Sequence, residues 1–464
     1  MSAVRPTGRH GLRARCLSFP EILSQSVANI SPTLTPVIIV PLVFASAGQG
    51  TWFAYLIATV GLVLVGTNIN QFTRRSATPG SLYAFVTRGL GVTLGFLCGW
   101  CLILAYLLTG MAVMAGSVLY AALLLAQLHL PLPPLVLFAL GVVGVWLIAY
   151  KDIRLSTRVM LVLEGISMLL ILILGAIVAA RHGQLIDRAQ FDFGAMNPSG
   201  LRTGLILAIF SFVGYESAST LGEEARNPLV NIPRSVLLSA IISGLFFVVT
   251  SYIAVLGFKS LPTSLASSTA PFNELADNVG VGFFGVLISI CAVISLFACT
   301  LAAVNAAARV LFSMGRRGIL HPQIGKAHAT NLTPHHAVTL ACILVLLLPA
   351  ALLLAGVGLL DILNDLSTLS TFGFLIAYVL ISIAAPLYLR RIGALTVTSA
   401  ACAVVSVGLM APPLIAAVYP TPAAPADKFP LYFLAYLAAG GLWYLALRAR
   451  TPALLQQLQH DLGD

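Results

Sequence analysis

Few side chains in this sequence could do chemistry, because little of it is ionisable. Two carboxylates, Glu164 and Glu216, sit inside otherwise apolar runs. A carboxylate at bilayer depth is costly, and one kept there tends to carry a proton, line an ion path or pair across helices. Glu216 belongs to the stretch LILAIFSFVGYESASTLGEEARNPLVNIP, Leu205 to Pro233. The stretch begins as an apolar helix and meets Gly214 and Glu216 after roughly three turns. A short piece follows, Ser217 to Leu221, and runs into the charged cluster Glu223, Glu224 and Arg226. Glycine is poor in a helix interior. A broken helix whose freed backbone groups line a polar cavity accounts for both residues; the alternative is a continuous helix with Glu216 facing a neighbour. A second interruption favours the break. It reads Asn29-Ile30-Ser31-Pro32-Thr33-Leu34-Thr35-Pro36, where each proline removes a backbone donor and clashes with the preceding turn.

The elements that must hold these residues are membrane helices. Of 464 residues 59% are apolar and only 9% charged, against about 25% charged in a soluble domain. A net charge of +10 could suggest nucleic-acid binding in a soluble protein. Here the basic residues fall between hydrophobic runs, so they report topology and no nucleic-acid partner is expected. Six of the seven cysteines lie in apolar runs and read as small buried hydrophobes, not a disulfide framework. Cys98 and Cys101 form a CxxC on a membrane helix, which argues against a redox role. The histidines fall in tails and loops, so neither a metal nor a cofactor is expected. Ala45-Ser46-Ala47 resembles a cleavage site behind basic residues, but the run before it is long and interrupted by Pro32, Pro36 and Pro41. It reads as an uncleaved first span.

Apolar runs long enough to cross a bilayer fall near 21–47, 52–72, 92–126, 133–150, 155–180, 203–221, 235–258, 280–314, 336–357, 362–388, 395–418 and 430–448. Twelve spans put both termini on one side. Nineteen of the 25 basic residues lie in the tails and alternate connections on that side, five on the other, and Arg309 within span 8; by the excess of positive charge that side is cytoplasmic. The expected organisation is a cytoplasmic tail 1–20, a ten-helix core 21–390, two further helices within 391–450 and a cytoplasmic tail 451–464. Spans 1 and 6 are the interrupted ones, and they start two blocks of five. Because five is odd, the blocks insert in opposite orientations. Paired breaks in two inverted halves point to a transporter's midplane binding site. The expected fold is therefore all-α and integral to the membrane, with twelve transmembrane helices in a five-plus-five inverted repeat.

Phe210 to Arg234, FSFVGYESASTLGEEARNPLVNIPR, resembles the amino acid–polyamine–organocation transporters, whose pattern there is an aromatic, F-x-G-x-E, then E-x-x-N-P-x-x-x-I-P. Pro79-Gly80-Ser81-Leu82-Tyr83 with Gly91, Gly95-Phe96 and Gly99-Trp100 is similar to their loop 2–3 and span 3. Ala308-Arg309-Val310-Leu311 through Gly315 and Gly318 is similar to the end of their span 8, and Ser156 and Arg158 stand where their span 5 opens. The resemblance covers roughly residues 20 to 390. It implies the leucine-transporter fold and alternating access for an amino acid or related small amine across the cytoplasmic membrane. It also implies an aromatic gate at Phe210, the alternative being a core aromatic. In two places the sequence departs from the family. Ser31 to Pro36 replaces a Gly-Ser-Gly type turn, and Glu164 occupies the middle of span 5, where some proton-coupled relatives carry a lysine.

The paired breaks give Ser31, Thr33, Leu34 and Thr35 a solute-binding role, against a simple proline kink. Ser211, Gly214 and Tyr215 line the second break by adjacency. Glu164 and Glu216 are the candidates for proton coupling, each against a structural alternative: Glu164 as a neutral or paired bridge between helices, Glu216 as a cap on the freed amides. Glu223 and Glu224 beside the cytoplasmic arginines suggest an inner-gate ion network, with Arg309 snorkelling or paired near that surface; Asp361 and Asp365 suggest a solvated outer rim. An ABC-type pump is excluded, since no G-x-x-x-x-G-K-[ST] occurs. An uncoupled exchanger of the same fold remains open, and so, at greater distance, does a membrane-embedded sensor or enzyme.

Overall fold

The computed structural model describes residues 11–451 apart from 79, 184, 417 and 420–423. Arg5 and Arg9 of the first tail, Pro79, and the second tail beyond Thr451 lie outside the described residues. Among those described, the architecture is helical, with one isolated parallel bridge between Leu17 and Ala225.

The first helix, α1 (Phe19–Ile30), starts on a short capping arrangement in which the Ser18 backbone N–H donates to the Glu21 carboxylate at 2.7 Å. It stops where Ser31 turns left-handed, φ 51°, and Pro32 forbids helical geometry before it. The chain resumes as a π-helical turn, Thr35–Ile39, which runs into α2 (Val40–Ala47). Pro36 lacks an N–H and its ring crowds the turn behind it, so the chain opens into a wider turn there. The first interruption expected from sequence is thus present, with two prolines and a π segment as its causes.

There follow α3 (Thr51–Thr73), α4 (Ser81–Leu90), α5 (Val92–Gln127), α6 (Pro134–Lys151) and α7 (Ile153–His182). Helix α4 is an element the span reading took for a loop, since it is too short to cross a bilayer. It packs against the start of α5 through Gly95, where a Cβ would fall 1.9 Å from the Thr87 hydroxyl. Helix α8 (Pro198–Phe210) opens with Asn197 accepting from the Ser199 N–H and Pro198 in its first turn, where a missing N–H costs nothing. It ends at Phe210, a turn carries Ser211 to Glu216, and a 3-10 piece, Ser217–Leu221, completes the second interruption. The remainder are α9 (Pro228–Phe258), α10 (Pro271–Asn278), α11 (Phe283–Arg316), α12 (His335–Leu354), α13 (Leu359–Arg391), α14 (Val397–Ala416) and α15 (Phe429–Arg450).

Ten helical stretches among the described residues are long and apolar enough to cross a membrane. One of them, Phe19–Thr73, is 55 residues long; α8 falls short of the length by itself. Helix α5 is the most buried, packed between α11 and α13, while α1 lies against α7, α9 and α11. Helices α6, α12, α14 and α15 form the periphery and present exposed leucines and valines outward. An outward apolar surface is what a hydrocarbon solvent requires, so burial here sorts inner from outer helices. Helix α1 lies among the inner ones, and so does the break of the second interrupted element, whose 3-10 piece is buried throughout while α8 is buried only toward its end.

Candidate functional site

The two interruptions touch. The Asn29 side-chain amide, one residue before α1 ends, donates to the Gly214 carbonyl at 3.2 Å. Gly214 has φ +86°, and a Cβ there would fall 1.8 Å from Asn29 Nδ2. Only glycine permits both the left-handed backbone and the close approach. Alongside, the Ala218 N–H donates to Ser26 Oγ at 2.9 Å and Ser217 Oγ donates to the Gln25 carbonyl at 3.2 Å. The last turns of α1 are thereby sewn to the 3-10 piece.

The second interruption is closed upon itself. Glu216 is fully buried and its carboxylate accepts from Tyr106 of α5 and Tyr378 of α13, both at 2.6 Å. The Tyr378 oxygen in turn accepts from the Gly214 N–H at 3.2 Å. The structural alternative read from sequence for Glu216, a cap on freed amides, takes another form: two tyrosine hydroxyls hold the carboxylate, and one of them takes up a freed amide. Short bonds such as Val213 N–H to Phe210 O and Tyr215 N–H to Phe212 O consume most other backbone groups of the turn. The Tyr215 ring meets Tyr378 edge to face at 5.6 Å, its hydroxyl is buried without a partner, and its flank faces Gly66 of α3. Ser211 contacts Tyr55 of α3 at 3.4 Å.

The first interruption is left open. The hydroxyls of Thr33 and Thr35 and the side-chain Oδ1 of Asn29 are buried without a hydrogen-bond partner, a state a protein interior seldom tolerates. Leu34 is buried beside them. Ser31 does have a partner: its hydroxyl lies 3.3 Å from that of Ser295 on α11. Ser295 Oγ also lies 2.8 and 2.9 Å from the two carboxylate oxygens of Glu164 on α7. Glu164, 2% exposed, thus bridges to α11 and through it to the gap. The sequence marked Glu164 and Ser31 separately; Ser295, one serine among many, carried no signal.

Phe210 lines a cavity of about 390 Å³ together with Ile39, Leu42, Leu207, Ser367, Thr371 and Phe372. It lies between the π segment, α8 and α13, and Phe210, 7% exposed, lines it while also packing in the buried core. A second cavity, about 380 Å³, flanks α2 on its other side and shares Leu42 and Asn364 with the first. The α13 residues Ser367 and Thr371 escaped the sequence reading because a hydroxyl in an apolar helix is ordinarily satisfied by its own backbone, as Thr371 is by the Ser367 carbonyl. The Ser367 hydroxyl itself has no partner.

The opposite end, where the N-terminal segment lies, is sealed. Arg309 and Glu224, each 1% exposed, form a bidentate pair at 2.7 and 2.8 Å. The alternatives expected for Arg309 resolve to burial with a partner. Arg13 pairs with Asp152, Arg158 with Glu21, and Arg154 Nε donates to the Cys16 carbonyl at 2.9 Å. The backbone N–H groups of Cys16 and Leu17 donate to the Glu224 carbonyl, and that of Arg226 to the Leu17 carbonyl. The stretch that sequence treats as a free tail is, from Gly11 on, a strap across this end. Burial, reinforced by the Glu224 charge and opposed by the nearby arginines, pushes the Cys16 thiol up to about 11. Asp361 is exposed and Asp365 half-buried, and no group of three or more His, Cys, Asp or Glu side chains is placed to hold a metal among the described residues.

The amino acid permease family profile matches residues 21–419. The chain is 26% identical over 364 residues to the branched-chain amino acid permease BcaP of Bacillus subtilis, covering 73% of each chain. It is 25% identical over 342 residues to the low-affinity putrescine importer PlaP of Escherichia coli, 71% of each. With the methylthioribose transporter of Bacillus subtilis it shares 25% over 391 residues, 80% of each.

Proposed function

The chain belongs to the amino acid permease family, a family of multi-pass membrane transporters and not of enzymes, and from that premise we propose that it is a secondary transporter for an amino acid or related small amine. Solute binds between the two interrupted helices, and the helices around them move alternately to expose it to either side. The observation that carries this reading is the contact of the two interruptions at Asn29 and Gly214 beside buried hydroxyls that lack partners. A sealed end opposite two cavities further supports alternating access. The solute site takes Ser31, Thr33, Leu34 and Thr35 from the first gap and Phe210, Ser211 and Gly214 from the second. Tyr215 acts there through its backbone and through Tyr378, since its ring faces α3 and α13.

In this reading the spans number twelve. The stretch Phe19–Thr73 supplies two of them, and α8 with the 3-10 piece supplies the sixth. Residues 21–390 form a five-plus-five inverted repeat, α14 and α15 within 391–450 are the last two spans, and the tails 1–20 and 451–464 face the cytoplasm across the cell membrane. The sealed end carrying Arg13, Arg154 and Arg158 is the cytoplasmic one, by its positive charge.

The proton is the coupling ion, carried by Glu164. It faces one hydroxyl group within its hydrogen-bonding reach, whereas Glu216 is locked between two tyrosines. A carboxylate can couple only if its proton affinity differs between the two states, and a group beside the movable gap meets that condition better than one clamped in a fixed turn. The test is uptake by purified protein in liposomes, with leucine, putrescine and methylthioribose as probes and an imposed acid-outside gradient. Accumulation of one of them against its gradient is expected. Gradient-insensitive exchange would replace coupled transport with an uncoupled exchanger, and no flux of any probe would remove the three solute classes.

A further inference from the structure

We propose that Ser295 is a positioning residue that lets the proton on Glu164 decide which way the Ser31 hydroxyl donates. The inference rests on Glu164 as the proton carrier and goes beyond it. Three oxygens stand in a row: the Glu164 carboxylate, Ser295 Oγ at 2.8 and 2.9 Å from it, and Ser31 Oγ a further 3.3 Å on. They belong to three elements, α7, α11 and the end of α1, and all three residues are buried.

A hydroxyl has one hydrogen to give, and an ionised carboxylate can only accept. With Glu164 ionised, Ser295 must donate to it, and Ser295 then has only lone pairs to offer Ser31. Ser31 donates toward Ser295, and its hydrogen is consumed. When Glu164 is protonated its O–H donates to Ser295 Oγ. The Ser295 hydrogen turns to Ser31, and the Ser31 hydrogen is released toward the gap. The only covalent change is the new O–H bond on Glu164; each serine keeps its own proton and merely rotates it.

The consequence has a sign. The protonated carrier makes Ser31 a donor into the gap, so a solute bearing an acceptor there, above all a carboxylate, is held more tightly with the proton than without it. Such coupling is reciprocal: bound solute tightens the proton in return. It gives symport of an amino acid, and it gives nothing to an amine that lacks an acceptor. The titratable groups that face Glu164 are the thiols of Cys291 and Cys299 on α11. The carboxylates of other packed elements are engaged elsewhere, Glu21 of α1 by Arg158 and Glu274 of α10 by Thr263 and Ser268. Cys299 is itself occupied, its thiol donating to the Asn29 carbonyl at 3.3 Å.

The test compares the parent with Ser295→Ala, Ser295→Thr, Ser31→Ala and Glu164→Gln, all in the full chain. One measurement is the dissociation constant of radiolabelled L-leucine and of 3-methylbutylamine, the same molecule without its carboxylate, in acidic and mildly alkaline buffer. The parent should bind leucine roughly tenfold more tightly in acid, the factor that about 1.4 kcal/mol of hydrogen bonding makes, and the amine equally at both. Ser295→Ala and Ser31→Ala should flatten the leucine profile, and Ser295→Thr should restore it. The second measurement needs no solute: the infrared carbonyl stretch of protonated Glu164, identified by its loss in Glu164→Gln, should move in Ser295→Ala and return in Ser295→Thr. An unmoved band overturns the relay even if leucine proves not to bind. A leucine profile lost in Glu164→Gln but intact in Ser295→Ala also overturns it and leaves the carrier standing. A profile intact in Glu164→Gln removes the carrier itself.

Discussion

The two interrupted helices reach the same place by opposite means. Between α8 and its 3-10 continuation the gap is satisfied from within: Glu216 is clamped by Tyr106 and Tyr378, Tyr378 also receives the Gly214 N–H, and Ser26 receives that of Ala218. Between α1 and the π segment the gap is bordered by prolines, and Thr33 Oγ1, Thr35 Oγ1 and Asn29 Oδ1 are buried without partners. Leaving a buried polar atom unpaired costs about 1–3 kcal/mol, so the second gap, the Tyr215 hydroxyl apart, spends its polar groups on stability, whereas the first withholds those of Thr33, Thr35 and Asn29. On the function proposed above, the carboxylate embedded in the satisfied gap, Glu216, serves the scaffold. On the same reading Glu164, linked to the unsatisfied gap through Ser295 and Ser31, reports on what enters it.

The sharpest way to break that contrast is at the point of contact. Gly214→Ala needs a left-handed backbone and puts its Cβ on Asn29 Nδ2, 1.8 Å away in the present geometry. A cost on the order of 3 kcal/mol or more is expected, seen as a large fall in the melting temperature of detergent-solubilised protein or as failure to insert. A variant as stable as the parent would mean that the helices part there easily.

Glu216→Gln comes next. The amide keeps one acceptor but offers an NH₂ to the other tyrosine, so about 1.5–3 kcal/mol of stability should be lost. Thermal unfolding measures it, and Tyr378→Phe should give a smaller loss in the same direction. Unchanged stability together with loss of gradient-driven uptake would exchange the roles of the two glutamates.

Thr35→Val tests the open gap. With no protein partner to lose, its melting temperature should equal or exceed the parent's. Binding of the solute that the hydroxyl contacts should weaken by about 1 kcal/mol, roughly fivefold. Equal binding to the parent would place the solute away from that hydroxyl.

The smallest effect lies in the connection that leads into α8. Asp187 is pushed up by burial, but hydrogen bonds from Lys259, Gln190 and the Ala189 N–H outweigh that and hold it below the usual carboxylate range. Its contribution is therefore complete above the ordinary aspartate value, about 4, and is lost as the pH falls through the lower folded value. For a pair so near the surface this should be under about 1 kcal/mol. Hydrogen exchange around residues 185–191 should quicken only in strongly acidic buffer, with the first gap unaffected.

Both gaps were legible in the sequence because backbone chemistry announces itself: proline cannot donate, glycine in an apolar run seldom lacks a reason, and a carboxylate in hydrocarbon demands a partner. What satisfied them was not legible. Tyr106 and Tyr378 stand 110 and 162 residues from Glu216, and nothing local distinguishes them from the other tyrosines of their helices. Ser295 and Ser367 are hidden for the same reason. Glu223, Glu224 and Arg309 could each be read into an ion network at that end, but nothing local showed that Glu224 and Arg309, 85 residues apart, are each other's partners. Helix α4 was missed because hydropathy windows register what spans a bilayer and overlook what lies across its end.

The π turn at Thr35–Ile39 also sets a rotational phase. A π turn is an α-helix carrying one residue too many, so everything outward of it is rotated relative to an uninterrupted helix by one residue's worth, about 100°. Leu42, which faces both cavities, owes its direction to that surplus residue. Removing one residue between Thr35 and Ile39 would leave composition and length of the span nearly untouched, yet would swing Leu42 off the cavity wall and bring a neighbour into its place. Among chains of this kind, a gain or loss of a single position at this point would redraw the cavity wall without any substitution in it.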